Sequence, residues 1–315
     1  MKRALFMLMI VGLLGLQTQV MGAVVTMTGS DGIGGSSFHT AGKWSDLSAP
    51  SAGNDYFTGD NTLRTPADGG SYTFAGDSLT VNNNSAYSKG LLFKGTGSAG
   101  SVTINTLILN QGLISHANGG GDIFNLYGNI TVVGDSILYP KQGPIHLYSA
   151  IHGTSKITIQ ASDNNSAFKV WIRSLANTFT GNIVNNGRLE LADDANLNFV
   201  IGASGVNNTI SNGSAGTQQH SIFGGDFIFD LTGAGTTLGD SWLIVNTTAA
   251  STYYNDTFRV DGFTDMGDNT WQKYANDAWY SFDEGTGILA VVPEPATLVL
   301  LGLGGLGLIR RKQNV

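Results

Sequence analysis

The sequence predicts an all-β protein: a right-handed parallel β-helix, or solenoid, closed by a C-terminal β cap or sandwich-like region. Three observations lead there. Charged residues make up only 12% of the 315-residue chain, against ~25% in an ordinary soluble domain. Only three of the 23 acidic residues are glutamates (Glu190, Glu284 and Glu294), and aspartate favours turns and caps over helix interiors. The 44 glycines, with many asparagines, punctuate short runs of alternating apolar residues, which are strand signals.

Two flanking segments stand outside that fold. Residues 1–23 read as a signal peptide. Lys2 and Arg3 precede the apolar stretch 4–16, and Val20-Met21-Gly22-Ala23 offers small residues for cleavage. At the other end, 292–315 contain a second apolar run, 296–309, expected to form a single membrane helix. At 1.5 Å per residue its 14 residues span about 21 Å, short of the ~30 Å hydrocarbon core.

Between the flanks, residues 24–70 include Trp44 and Tyr56 and are expected to cap the first rung. An open solenoid end would expose strand edges. Residues 71–216 divide into six stretches, 71–95, 101–121, 122–143, 144–167, 168–195 and 196–216. Each carries runs such as Val102-Thr103-Ile104 or Ile157-Thr158-Ile159. Recurrence at this length suits the rungs of a β-helix; a large antiparallel sandwich is the competing architecture. Ile183, Leu189 and Leu191 are expected to point inward, with Asn186-Gly187 at a turn. Residues 217–291 form the C-terminal β region, with nine aromatics between 253 and 282. Either these rings fill the cap, or Trp271, Trp279 and Tyr280 offer faces on which sugar rings stack.

Charge and composition exclude several functions. Between Val24 and Val292 there are 11 Lys and Arg against 22 Asp and Glu, a net charge of −11. Nucleic acid is therefore not an expected partner, because no basic face remains to neutralise phosphates. The chain has no cysteine, which excludes disulfides, thiol nucleophiles and Cys-zinc sites. The G-x-G-x-x-G at 95–100 precedes a strand rather than a helix and fails its nucleotide-binding context.

The C-terminal segment combines Pro293-Glu294-Pro295, the Gly/Leu-rich run 296–309 and the basic cluster Arg310-Arg311-Lys312. This tripartite order resembles the PEP-CTERM sorting signal of Gram-negative bacteria. The resemblance implies processing by an exosortase at or near Pro293-Glu294-Pro295. It implies transient residence in the inner membrane through 296–309, with the basic cluster left cytoplasmic. It further implies delivery to the cell surface or extracellular matrix, often in exopolysaccharide or biofilm producers. Residues 177–191, Asn-Thr-Phe-Thr-Gly followed by an alternating strand, Asn-Gly and Leu-x-Leu, resemble the autotransporter-associated β-strand repeat. That repeat implies a β-helical surface passenger without activity of its own.

No catalytic residues and no cofactor are expected. A carbohydrate-active β-helix, polysaccharide-binding or lyase-like, is the alternative. Its one plausible cluster is Arg173 and Arg188 with Asp163, Asp193 and Asp194. His146 and His152, at i and i+6, are the only closely spaced histidines, and a zinc pair there has little support. Asp265, Asp268 and Asn269 offer oxygens to calcium, but the EF-hand and G-G-x-G-x-D patterns are absent and turn chemistry is the stronger account of that sequence. The expected function is therefore that of a non-enzymatic, exported surface or matrix protein.

Overall fold

The computed structural model describes residues 22–66, 68–83, 89–94, 100–117, 122–162, 168–213, 220–246 and 251–294. Signal-like residues 1–21, Asp163, Pro295, the apolar run 296–309 and the cluster Arg310, Arg311 and Lys312 lie outside them. Among the described residues there are strands and no helix, and none that could cross a membrane as a helix.

The chain visits the same parallel sheets again and again, as a solenoid-like molecule does. One long sheet runs from Ala23–Thr26 through Asn54–Phe57, Ser78–Val81, Gly100–Leu109, Phe124–Val132, Ile145–Leu147, Val170–Ile172, Arg188–Leu191 and His220–Phe223 to Ser251–Tyr254. A second parallel sheet collects the segments between, from Thr62–Arg64 through Leu113–His116 and Ile157–Ile159 to Ile210–Asn212. Asn196–Val200, Asp226–Asp230 and Arg259–Val260 form a third. Parallel neighbours require long crossovers, and after Asn54–Phe57 each crossover of the long sheet contains a strand of another sheet.

Register turns sequence alternation into a core. Val102, Leu126, Leu147, Ile172, Leu191 and Phe223 are successive partners in the long sheet, and all are buried. Leu63, Leu91, Ile114, Leu138 and Ile159 form the matching buried column of the second sheet. Ile183, Leu189 and Leu191 point into this core, and Asn186-Gly187 makes the bend between sheets. Gly128 lies opposite Ile104, where the pairing of Gly100–Leu109 slips. Its φ is +102° and a Cβ there would lie 2.0 Å from the Ile104 carbonyl oxygen, so only glycine fits.

The stretch that resembles the autotransporter-associated repeat has a clear local logic. The Asn177 Nδ2 donates to the Asn196 carbonyl at 2.9 Å, and the Asn196 Nδ2 returns a bond to the Asn177 carbonyl at 3.0 Å. The Ile151 N–H donates to Asn177 Oδ1 at 2.8 Å, so one buried amide ties together three rungs. Phe179 points inward. Gly181 follows because a Cβ would meet the Ser155 carbonyl at 2.2 Å and the Phe179 ring at 2.6 Å.

The two ends of the stack are finished differently. Near the N-terminus, Phe38, Trp44, Tyr56 and Phe74 form a fully enclosed cluster, with Trp44 and Tyr56 rings 4.8 Å apart and edge-on. A buried carboxylate secures the same end. Asp31 accepts from the Ser37 and Arg64 N–H groups, both at 2.9 Å, and from the Ser37 hydroxyl at 2.5 Å. At the other end, Thr264–Asp265, Thr270–Ala275, Ala278–Asp283, Ile288–Val292 and Ser241–Leu243 make an antiparallel sheet. Parallel pairing is not confined to 71–216: it begins at Ala23 and runs to Val260.

Leu189 is 0% exposed. Leu189→Asp would bury a charge without a partner and is expected to cost on the order of 3 kcal/mol or more. Urea unfolding of the full chain measures it, and an unchanged midpoint would place Leu189 on the surface.

Candidate functional site

The last described strand, Ile288–Val292, occupies an interior position in the antiparallel sheet. It pairs on one side with Ala278–Asp283 and on the other with Ser241–Leu243. Pro293 follows at once; lacking an N–H and with its φ fixed, it ends the ladder. Pro293 and Glu294 line a cavity of about 340 Å³ together with Leu238, Tyr274, Trp279 and Val292. The Pro293-Glu294 segment thus leaves from a strand bonded on both edges, beside a partly aromatic hollow.

Alternation along Ala278–Asp283 decides which aromatics can meet a ligand. Tyr280 and Phe282 face the core, whereas Trp279 is half-buried on the outer side, 5.5 Å from the exposed Tyr274 ring. Tyr280 is 0% exposed, and its hydroxyl donates to the Gly235 carbonyl at 2.9 Å. Trp271 is 5% exposed and donates through Nε1 to Glu284 Oε1 at 2.7 Å. Burial raises the Glu284 pKa above the ordinary carboxylate value. Trp271 and Tyr280 therefore offer no ring face to a sugar: they pack with Phe258 and Trp242 respectively. Of the three expected stacking residues, Trp279 alone retains an outward position.

A different aromatic group lies on the outer face of the long parallel sheet, and the sequence reading did not single it out. Tyr127 and Tyr148 stack with centroids 4.6 Å apart and planes 9° apart. The Arg173 guanidinium lies 4.9 Å from the Tyr148 centroid and 4.1 Å from that of Trp171. Lys169 Nζ also lies 4.1 Å from the Trp171 centroid. Lys169 pairs with Glu190 at 2.5 Å, and Arg188 approaches the same carboxylate at 3.9 Å. The available signal was the i, i+2 spacing of Lys169, Trp171 and Arg173, which puts all three on one face of a strand.

The other chemical candidates are dispersed. Asp193 accepts from the Thr257 hydroxyl at 2.9 Å, Asp194 lies in an exposed turn, and neither contacts Arg173 or Arg188. Asp265 accepts from the Gly267 N–H at 2.8 Å and Asp268 from the Thr270 hydroxyl at 2.5 Å, so both serve their turn. His146 sits edge-on to Trp171 at 4.8 Å, whereas His152 Nδ1 lies 2.6 Å from Thr178 Oγ1. Among the described residues no three His, Cys, Asp or Glu side chains gather as a metal site.

Residues 291–313 match the PEP-CTERM protein-sorting motif. The match takes in Pro293, Glu294, Pro295, the apolar run and the basic cluster together. It indicates an exported, membrane-transiting protein that is processed by an exosortase. No curated protein and no solved structure matches the chain, so the autotransporter-associated pattern of 177–191 remains a resemblance.

Two buried histidines make the fold sensitive to acid. His116, whose Nε2 donates to the Asp122 carbonyl at 2.7 Å, has its pKa lowered from 6.5 to about 4 by burial. Burial, with Lys169 and Arg173 nearby, lowers that of His146 to about 4 as well. Below pH 6.5 the unfolded chain takes up protons that the folded chain refuses. Stability from these groups is therefore intact above pH 6.5, falls as the pH drops and levels off below about 4. The full loss is on the order of 3 kcal/mol for His116 and smaller for His146, whose charge water screens more. Urea titrations between pH 7.5 and 4 should show a shallower decline in His116→Gln than in the parent chain.

Proposed function

We propose that this chain is a non-enzymatic exported protein of the cell surface or extracellular matrix, associated with exopolysaccharide and biofilm. The N-terminal signal starts export. Residues 296–309 hold the chain transiently in the inner membrane, with Arg310, Arg311 and Lys312 on the cytoplasmic side. Exosortase then acts at or near Pro293-Glu294-Pro295, and the exposed part is a right-handed parallel β-helix. The observation that carries this reading is the sorting motif at 291–313, joined without a spacer to a strand bonded on both edges. A body of stacked parallel strands with a net charge of −11 suits a solvated, extracellular role.

Replacing Pro293-Glu294-Pro295 by alanines should leave export intact and trap the protein, at unprocessed size, in the inner-membrane fraction. Cell fractionation with immunoblotting reads the outcome. Normal size and amount at the surface would overturn the sorting assignment.

The competing reading is a lyase-like enzyme, which needs an Arg or Lys base beside carboxylates. Arg173 is engaged with Trp171 and Tyr148, while Asp193 is held by Thr257, an arrangement that supports the non-enzymatic reading. The purified chain should release neither reducing ends nor unsaturated products from acidic polysaccharides, with or without calcium. Release that is abolished in Arg173→Ala or Asp193→Ala would establish the enzyme instead.

A further inference from the structure

We propose that the outer face of the long parallel sheet, from Tyr127 to Arg188, is a binding strip for a carboxylate-bearing polysaccharide, with the Arg173 guanidinium as its anion anchor. This inference rests on the reading of the body as an exposed part that meets exopolysaccharide. It names the face and the chemical class that the reading leaves open.

The strip is a product of register. The Tyr148 N–H donates to the Leu126 carbonyl and the Arg173 N–H to the Leu147 carbonyl, each at 2.9 Å. Tyr127, Tyr148 and Arg173 therefore stand on successive rungs, spaced by ~4.8 Å. A second row on the same face is made by the buried His146 and the half-buried Trp171 and Glu190, which are direct partners across the sheet. The result is a flat surface with a short axial repeat, a geometry that suits an extended polymer better than a compact molecule.

Charge selects the ligand. Glu190 is the carboxylate facing Lys169 and Arg188, whereas the Arg173 guanidinium makes no hydrogen bond or ion pair among the described residues, and its buried Nε lacks an acceptor. Three cations against one carboxylate leave a positive strip on a body whose net charge is −11. Such a strip attracts anions that the rest of the surface repels. Stacking on Trp171 and Tyr148 holds the planar guanidinium in place before a ligand arrives, so less freedom is lost when its fork meets a carboxylate. Tyr127, 37% exposed at the end of the row, offers an amphipathic ring suited to the C–H face of a sugar.

The test uses the full-length chain in detergent and affinity electrophoresis with four probes: polygalacturonate, dextran, polyglutamate and orthophosphate. Polygalacturonate should bind, and its binding should weaken as ionic strength rises. Arg173→Gln should weaken it roughly tenfold, the scale of one charge-assisted hydrogen bond. Arg173→Lys should also weaken it, because a point charge lacks the planar fork. Lys169→Gln provides a second, independent variant should Arg173→Gln fail to fold, and each variant's urea midpoint reports its folding. Lys156→Gln, whose lysine pairs with Asp135 away from the strip, should bind like the parent chain. Equal retardation by dextran, stronger binding of polyglutamate, full displacement by orthophosphate at equal charge, or parent-like binding by folded Arg173→Gln and Lys169→Gln would each overturn the proposal. Sorting is scored separately by fractionation, so failure of the strip and failure of the exported reading are distinguishable.

Discussion

Parallel in-register stacking is the constraint on which the rest of this molecule depends. Each rung's inward residues bury against the same positions of the rung before, so Val102, Leu126, Leu147, Ile172, Leu191 and Phe223 stabilise one another as a column. Stability in such a stack is a sum of neighbour terms, which leaves the two ends as weak points. The chain covers one with Phe38, Trp44, Tyr56 and Phe74, tied by the buried Asp31 carboxylate. At the other, Phe227 contacts Phe258 and Phe282, and the Trp242 indole donates to the Ala203 carbonyl at 2.8 Å. Both devices close the apolar core at the ends of the stack.

The same register writes the outer surface. A residue that faces outward on one rung has a neighbour in the same column on the next, so a few side chains in a weakly charged sequence can gather on one face. Trp171 lies in the strand Val170–Ile172 with Lys169 and Arg173 at its two ends, Arg188 and Glu190 come from the next strand, and Tyr148 from the rung before. Polar residues inside the stack obey the rule too. Asn185 continues the column of Leu138 and Ile159, yet it is fully buried because its Nδ2 reaches the His220 carbonyl at 2.9 Å and Ser221 Oγ at 3.0 Å, while Oδ1 accepts from the Gly187 N–H. A buried amide is tolerated where each of its groups finds a partner.

Much of this architecture was legible in the sequence because strand alternation and turn residues are local signals. The runs Val102-Thr103-Ile104, Leu107-Ile108-Leu109 and Ile157-Thr158-Ile159 became strands, and Asn186-Gly187 became a bend. The limits of the later rungs were not legible. Val170 pairs with Leu189, 19 residues on, whereas Leu189 pairs with Ser221, 32 residues on. Insertions between strands change the period without disturbing the core, so stretch 168–195 merged parts of two rungs. The aromatic segment was misleading for a related reason. Tyr253 and Tyr254 still belong to the parallel stack, and the faces of Trp271 and Tyr280 are covered by Phe258 and Trp242. The outer cluster at Trp171 is not legible in sequence because Tyr127, Tyr148 and Arg173 lie far apart along the chain and meet only through register.

The C-terminal sheet reconciles two demands that a stack of parallel strands with a sorting signal must meet. The stack needs an end that adds no further parallel rung, and an antiparallel sheet supplies one, since its strands return over short turns rather than crossing over. The sorting segment needs a fixed point of departure from the folded body. Placing Ile288–Val292 between two partners satisfies both. Its pairing on both edges closes the sheet around it, and Pro293 then forces the chain out of the ladder at a defined residue. Tension applied through the sorting segment would therefore act on the shared hydrogen bonds of three strands rather than peel away one edge strand. The half-buried Trp279, opposite Val292, packs beside that exit, and the cavity there lies between the sheet and the first residues of the sorting motif.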